Sequence, residues 1–205
     1  MHRILTKSNK KGFTLIELLV VIAIIAILFV VVLLTLNPAE LLRQARDSNR
    51  VSDMGTMKSA ISLYLADVTT PSLGTYGVLY LNSGATAATT PYIYVAGTPT
   101  TWGYKAGAVA STLVGTSTTQ RNVDDTGWIP VNFSGISSGS PIGNLPVDPL
   151  STASNTYAYA ASSTSFKLST KMESSKFSYG GTGDVVSTDG GNSTTTYEEG
   201  TLLTM

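Results

Sequence analysis

The chain has 205 residues, with 13 basic side chains against 13 acidic ones, and only 13% of it is charged. Cysteine is absent and His2 is the sole histidine. This excludes a disulfide framework, a thiolate nucleophile, a cysteine or histidine zinc site and, beyond the extreme N-terminus, a Ser-His-Asp triad. The length suits one domain of ordinary size plus a long additional element. The charge balance is uneven along the chain. Arg3, Lys7, Lys10 and Lys11 crowd into residues 1–12 with no acid, leaving 9 basic against 13 acidic side chains beyond them. A remainder of about −4 gives no reason to expect a nucleic-acid partner.

From Phe13 to Leu36 the sequence is apolar apart from Thr14, Glu17 and Thr35. Such a run predicts a helix of roughly 36 Å, long enough to cross a bilayer and too long for a signal-peptide core. Ala23 and Ala26 are three apart but are followed by more apolar residues, so ordinary secretory cleavage is disfavoured. The basic leader outweighs Arg43, Arg46 and Arg50 at the far end, where Glu40 and Asp47 also stand. That bias puts the N-terminus on the cytoplasmic side. Glu17 is the anomaly. A carboxylate at mid-membrane costs about 2.5–3.5 kcal/mol on insertion scales, less near an end. It is either a charge tolerated near the headgroups and the helix N-terminus, or one held for a partner.

The stretch KKGFTLIELLVVIAIIAIL closely resembles the leader and mature start of type IV prepilins and of the pseudopilins of type II secretion. The resemblance implies cleavage after Gly12, N-methylation of the new first residue Phe13, and an assembly role for Glu17, fifth from Phe13. A prepilin peptidase and N-methyltransferase would carry out the processing. A membrane assembly platform with its ATPase, the lipid bilayer and further copies of the chain would be the other partners. Cleavage would create a positive amine at Phe13 that a neighbouring subunit could offer to Glu17. Apolar helix packing would supply most of the association and the ion pair its register. An amine-to-carboxylate contact four residues apart within one subunit is the competing geometry.

Next comes LTLNPAELLRQARDSNR. Asn37 can cap a helix, Pro38 suits its first position, Glu40 suits a capping box, and Leu36 with Leu41 suits a staple. The alternative is one continuous helix kinked at Pro38. Family pilins also carry a helix-breaking proline here, usually a few residues earlier. Apolar residues then recur at helical spacing: Leu41, Leu42, Ala45, Val51, Met54, Met57, Ile61, Tyr64 and Leu65. Arg43 and Asp47 read as an exposed i,i+4 pair, and Arg43, Arg46 and Arg50 as a solvated stripe.

Between Val68 and Tyr104 there is no charged residue. Tyr92, Ile93, Tyr94 and Val95 suggest a short strand among Thr, Ser and Gly. In WIPVNF, Ile129, Val131 and Phe133 alternate and predict a strand, which Pro130 assigns to an edge. TYAYAASSTSFKLST reads as a hairpin, with Tyr157, Tyr159 and Ala161 alternating before a polar turn and Phe166 and Leu168 after it. NLPVDP is similar to the LPxDP-type turn of pilin and pseudopilin heads. Near the end, Asp184, Asp189 and Asn192 with local carbonyls offer oxygens for calcium, which the pseudopilin resemblance implies near this end, although Gly-Gly with Asp and Asn is also ordinary turn chemistry. Asn132–Ser134 and Asn192–Thr194 match glycosylation sequons.

The expected fold class is therefore α+β, a long N-terminal helix whose amphipathic second half packs on a small antiparallel β-sheet head. The expected domains are a leader (1–12), a membrane or filament-core helix (13–36), its amphipathic continuation (37–67) and a Ser/Thr/Gly-rich head (68–205). The expected function is a structural subunit of a type IV pilus-like filament. It would have no catalytic residues and no cofactor, calcium aside. It would lie in the cytoplasmic membrane before assembly and in a surface or periplasmic filament afterwards. The alternatives are a type II secretion pseudopilin and a membrane-anchored exported binding protein.

Overall fold

A computed structural model describes residues 12–75, 78–82, 110–113, 120–150 and 155–204. The leader before Gly12 and the strand expected at Tyr92–Val95 lie outside the described residues. The chain divides into two compact units, 1–41 and 42–205.

The first unit holds helix α1, Leu15–Leu36. It starts where Thr14 turns extended and its hydroxyl accepts the Glu17 N–H at 3.3 Å. The Glu17 carboxylate reaches back to accept from the Thr14 N–H and hydroxyl, both at 2.8 Å. This is a closed capping box, which satisfies donors that a helix start leaves unpaired. At the other end Asn37 takes a left-handed conformation, φ 39° and ψ 73°. Asparagine tolerates that region better than most side chains. Helix α2, Pro38–Asp67, begins at once. Of the two alternatives at Pro38, the break prevails: proline stands first in a new helix, where its missing N–H costs nothing. The N–H groups of Glu40 and Leu41 both point back to the Asn37 carbonyl, at 3.0 and 3.3 Å.

In the second unit α2 buries Asp47, Arg50, Met54, Met57, Ala60, Ile61 and Tyr64. Apart from Ala60, which flanks Ile61, these lie at alternating steps of three and four, one face of a helix. The expected stripe is corrected at its upper end, where Leu41, Leu42 and Ala45 are exposed. The buried face continues upstream through Asp47 and Arg50 instead.

The sheet has five strands: β1 (Val78–Asn82), β2 (Ala110–Leu113), β3 (Tyr157–Ala161), β4 (Phe166–Thr170) and β5 (Tyr197–Gly200), in the order β2-β1-β3-β4-β5. The expected hairpin is β3–β4, with Tyr157 opposite Thr170 and Ala161 opposite Phe166. Its turn is closed by the Ser162 N–H on the Ser165 carbonyl at 2.7 Å. Four strands are antiparallel as expected, but β2 joins β1 in parallel at the edge. Residues 83–109 separate the two strands, enough chain for the return that parallel pairing demands.

WIPVNF is not a strand. It is an irregular segment with one isolated bridge, Asp124 to Asn132, running into a 3-10 turn at Phe133–Gly135. Pro130 supplies no N–H and so cannot donate to a ladder in the middle of the segment. The burial reading holds: Ile129, Val131 and Phe133 all lie in the core, with Asn132 exposed between the last two. Against them pack Met54, Met57, Ile61 and Tyr64 of α2 and the inward residues Tyr80, Tyr157, Tyr159, Phe166, Leu168 and Tyr197 of the sheet. The opposite sheet face carries a second buried cluster of Leu79, Leu81, Ala158 and Ala160.

Candidate functional sites: the N-terminal helix and a buried charge node

Gly12, Phe13 and Thr14 precede α1 as irregular, exposed chain. Phe13 is 88% exposed, and a side chain at Gly12 would meet no neighbour. That is an accessible peptide bond followed by an aromatic residue. From Leu15 to Leu33 the helix is long and apolar enough to cross a membrane, and none of that window is buried. Glu17 is its one carboxylate, engaged by Thr14 from the same first turn. Pro38 lies just past the end of the apolar run and opens α2.

Arg50 is the centre of a second constellation. Its Nε and Nη2 donate to the two oxygens of Asp148 at 2.7 and 3.0 Å, a bidentate fork. Its Nη1 meets Asp47 at 2.8 Å and Glu173 at 2.5 Å. Arg46 donates a second fork to Glu173, at 3.1 and 2.7 Å. The side chains of Arg50, Asp47 and Asp148 have no exposure. Asp47 also accepts the N–H groups of Glu173 and Ser174, the latter at 2.7 Å. The solvated arginine stripe is therefore corrected. Arg50 is buried, Arg46 is paired, and Asp47 belongs to Arg50 instead of an exposed pair with Arg43.

Asp148 comes from NLPVDP, whose Leu145 is fully buried and whose Pro146 carbonyl accepts the Trp128 indole N–H at 2.9 Å. The turn thus places an acid under α2, while Ser174 and Glu173 bring in the segment just after β4. The node ties together parts of the chain about 100 residues or more apart.

Burial pushes the Glu173 carboxyl up, but the hydrogen bonds from Arg46 and Arg50 outweigh it and hold it below the usual range. A depressed carboxyl contributes stability above its unfolded pKa and loses it as pH falls through the folded value. Melting temperature should therefore fall as pH drops below about 4.3, the ordinary glutamate value. Glu173→Gln should melt lower by roughly 3–8 °C at pH 7 and show a shallower acid decline in a pH series of thermal melts. Asp53 shifts the other way. Burial raises it more than the Tyr157 hydroxyl, donating at 2.6 Å, lowers it.

Each of the residues expected to offer oxygens to calcium is engaged by groups of the protein itself. Asp184 accepts from the N–H groups of Gly180, Val186 and Ser187 at 2.7–2.9 Å and holds its own turn. Asp189 caps Gly191 and Glu198 at 2.7 and 2.8 Å. Asn192 Oδ1 accepts from Lys167. Among the described residues no group of three His, Cys, Asp or Glu side chains could hold a metal.

The fold and the N-terminal segment together define an α+β head following an apolar helix of membrane-spanning length. Residues 7–33 match the family model described as the prokaryotic N-terminal methylation motif. The chain thus carries the leader signature of type IV pilins and pseudopilins. No curated protein and no solved structure matches it.

Proposed function

We propose that the protein is a structural subunit of a type IV pilus-like filament, made as a prepilin, cleaved after Gly12 and N-methylated on Phe13. What carries the reading is α1. From Leu15 to Leu33 its surface is apolar and exposed, and it directly follows the methylation motif's basic leader. An exposed apolar helix of this size demands either lipid or like helices. Before assembly the bilayer covers it; in a filament, other copies do. The role requires no catalytic residue and no cofactor. Glu17 sets register by meeting the Phe13 amine, and the assembly platform and its ATPase move the subunit from membrane to fibre.

The test is the intact mass and N-terminal residue of the protein from sheared cell surfaces and from membranes. The expected result is a chain starting at Phe13 with one added methyl, present in the sheared fraction. The same mature chain confined to membranes would favour a type II secretion pseudopilin. A chain retaining residues 1–12 would overturn the filament reading in favour of a membrane-anchored exported binding protein.

A further inference from the structure

Lys167 sits in β4 opposite Gly200 of β5, and its side chain has no exposure. Its ammonium meets Glu198 Oε1 at 2.7 Å, the Leu203 carbonyl at 2.7 Å and Asn192 Oδ1 at 3.1 Å. Glu198 is equally buried. Its other oxygen accepts the N–H groups of Asn192 and Ser193, at 2.8 and 3.4 Å. Asp189 closes the same loop by accepting the Glu198 N–H, so a second carboxylate stands beside the pair. Burial holds Asp189 above its ordinary value, and the Lys167 charge works against that rise. At Gly191 any Cβ would run into the Glu198 carboxylate, so only glycine lets the loop close over it.

A carboxylate, a carboxamide oxygen and a main-chain carbonyl converging on one point are the ligand set of a hard cation. Here the point is occupied by an ammonium that donates to Asn192 Oδ1 and the Leu203 carbonyl and meets Glu198 Oε1 as an ion pair without an aligned hydrogen bond. We propose that the segment 189–203, which contains β5, forms a cation site whose resident cation is the Lys167 ammonium, which fastens the loop before β5 and Leu203 after it to β4 without a divalent metal. Of the residues expected to serve calcium, Asn192 is the one whose side-chain oxygen meets Lys167. Removing that side chain's charge would leave Glu198 buried and uncompensated, the condition that draws in an external ion. The inference is independent of the filament reading.

The experiment is thermal melting of the full chain in detergent, in EDTA and in millimolar calcium. The wild-type protein should melt at the same temperature in both. Lys167→Met should melt roughly 10 °C lower in EDTA and regain at least half of that with calcium. Lys167→Met with Glu198→Leu removes both charges and should melt near wild type with no response to calcium. This variant reports on the site even if the single one fails to fold in EDTA. A wild-type melting temperature that rises with calcium would overturn the proposal, as would a Lys167→Met variant indifferent to it. An intact wild-type mass short by one ammonia would also overturn it, because Lys167 and Asn192 would then share an amide bond and no ammonium would exist.

Discussion

Arg50→Met should be the most damaging single substitution in the head. The guanidinium is the shared partner of Asp47, Asp148 and Glu173. Methionine fills much of the space but satisfies none of the carboxylate oxygens the arginine met. Breaking a buried pair from one side costs about 3–5 kcal/mol, because the remaining charge stays desolvated. For a chain of this size that lowers the melting temperature by roughly 6–20 °C. Arg50→Lys is the informative companion. It keeps the charge but has no planar fork for Asp148, so an intermediate loss is expected. If Arg50→Met and Arg50→Lys both melted within a degree of wild type, the node would have no energetic role. The guanidinium itself is shifted further above its ordinary range: burial lowers it, but the hydrogen bond and charge of Asp148 and the other acids more than compensate. Its charge is therefore permanent across any accessible pH.

The second large effect is expected at Glu17, and two substitutions separate its two chemistries. The capping box needs only an acceptor for the Thr14 N–H and hydroxyl, which the amide oxygen of glutamine still offers. Register pairing with a Phe13 amine needs the negative charge. Glu17→Gln should therefore leave processing, membrane insertion and head stability unchanged while abolishing sheared surface fibres. Glu17→Leu should do the same and also lose the cap, worth about 1 kcal/mol. Fibre yield is read by immunoblot of sheared and membrane fractions. Wild-type fibre yield with Glu17→Gln would assign Glu17 to helix capping alone and remove its assembly role.

Legibility in the sequence followed the physics of each element. α1 was readable because a run that apolar, over that length, has little choice but to form a membrane-length helix. The β3–β4 hairpin was readable because alternation and a polar turn agreed. The node was hidden because helical periodicity is sought among apolar residues, and here the buried face runs on through Asp47 and Arg50. Its signal in the sequence is the register of Asp47 and Arg50 with Met54, Met57 and Ile61. WIPVNF gave the correct burial but the wrong backbone, since alternation reports which side chains face inward and says nothing of ladder hydrogen bonds. β5 was missed because Glu198 and Glu199 look like solvent residues. Glu198 is instead neutralised by Lys167, and Glu199 meets Lys58 on α2 at 2.5 Å. The NLPVDP resemblance marked a turn, but the turn's purpose, delivering Asp148 to Arg50, required the partner helix to be seen.

The bare apolar length of α1 also constrains the route by which a chain can change its surroundings. Wetting the surface from Leu15 to Leu33 costs on the order of tens of kcal/mol at the usual value per unit of apolar area. Each 1.4 kcal/mol is a tenfold factor, so the population of single chains dissolved in water is vanishing. Exchange between one apolar host and another must then occur where the two hosts touch, with no aqueous intermediate. Any assembly containing this helix can gain or lose chains only at an end in contact with the bilayer, and its free tip is kinetically sealed.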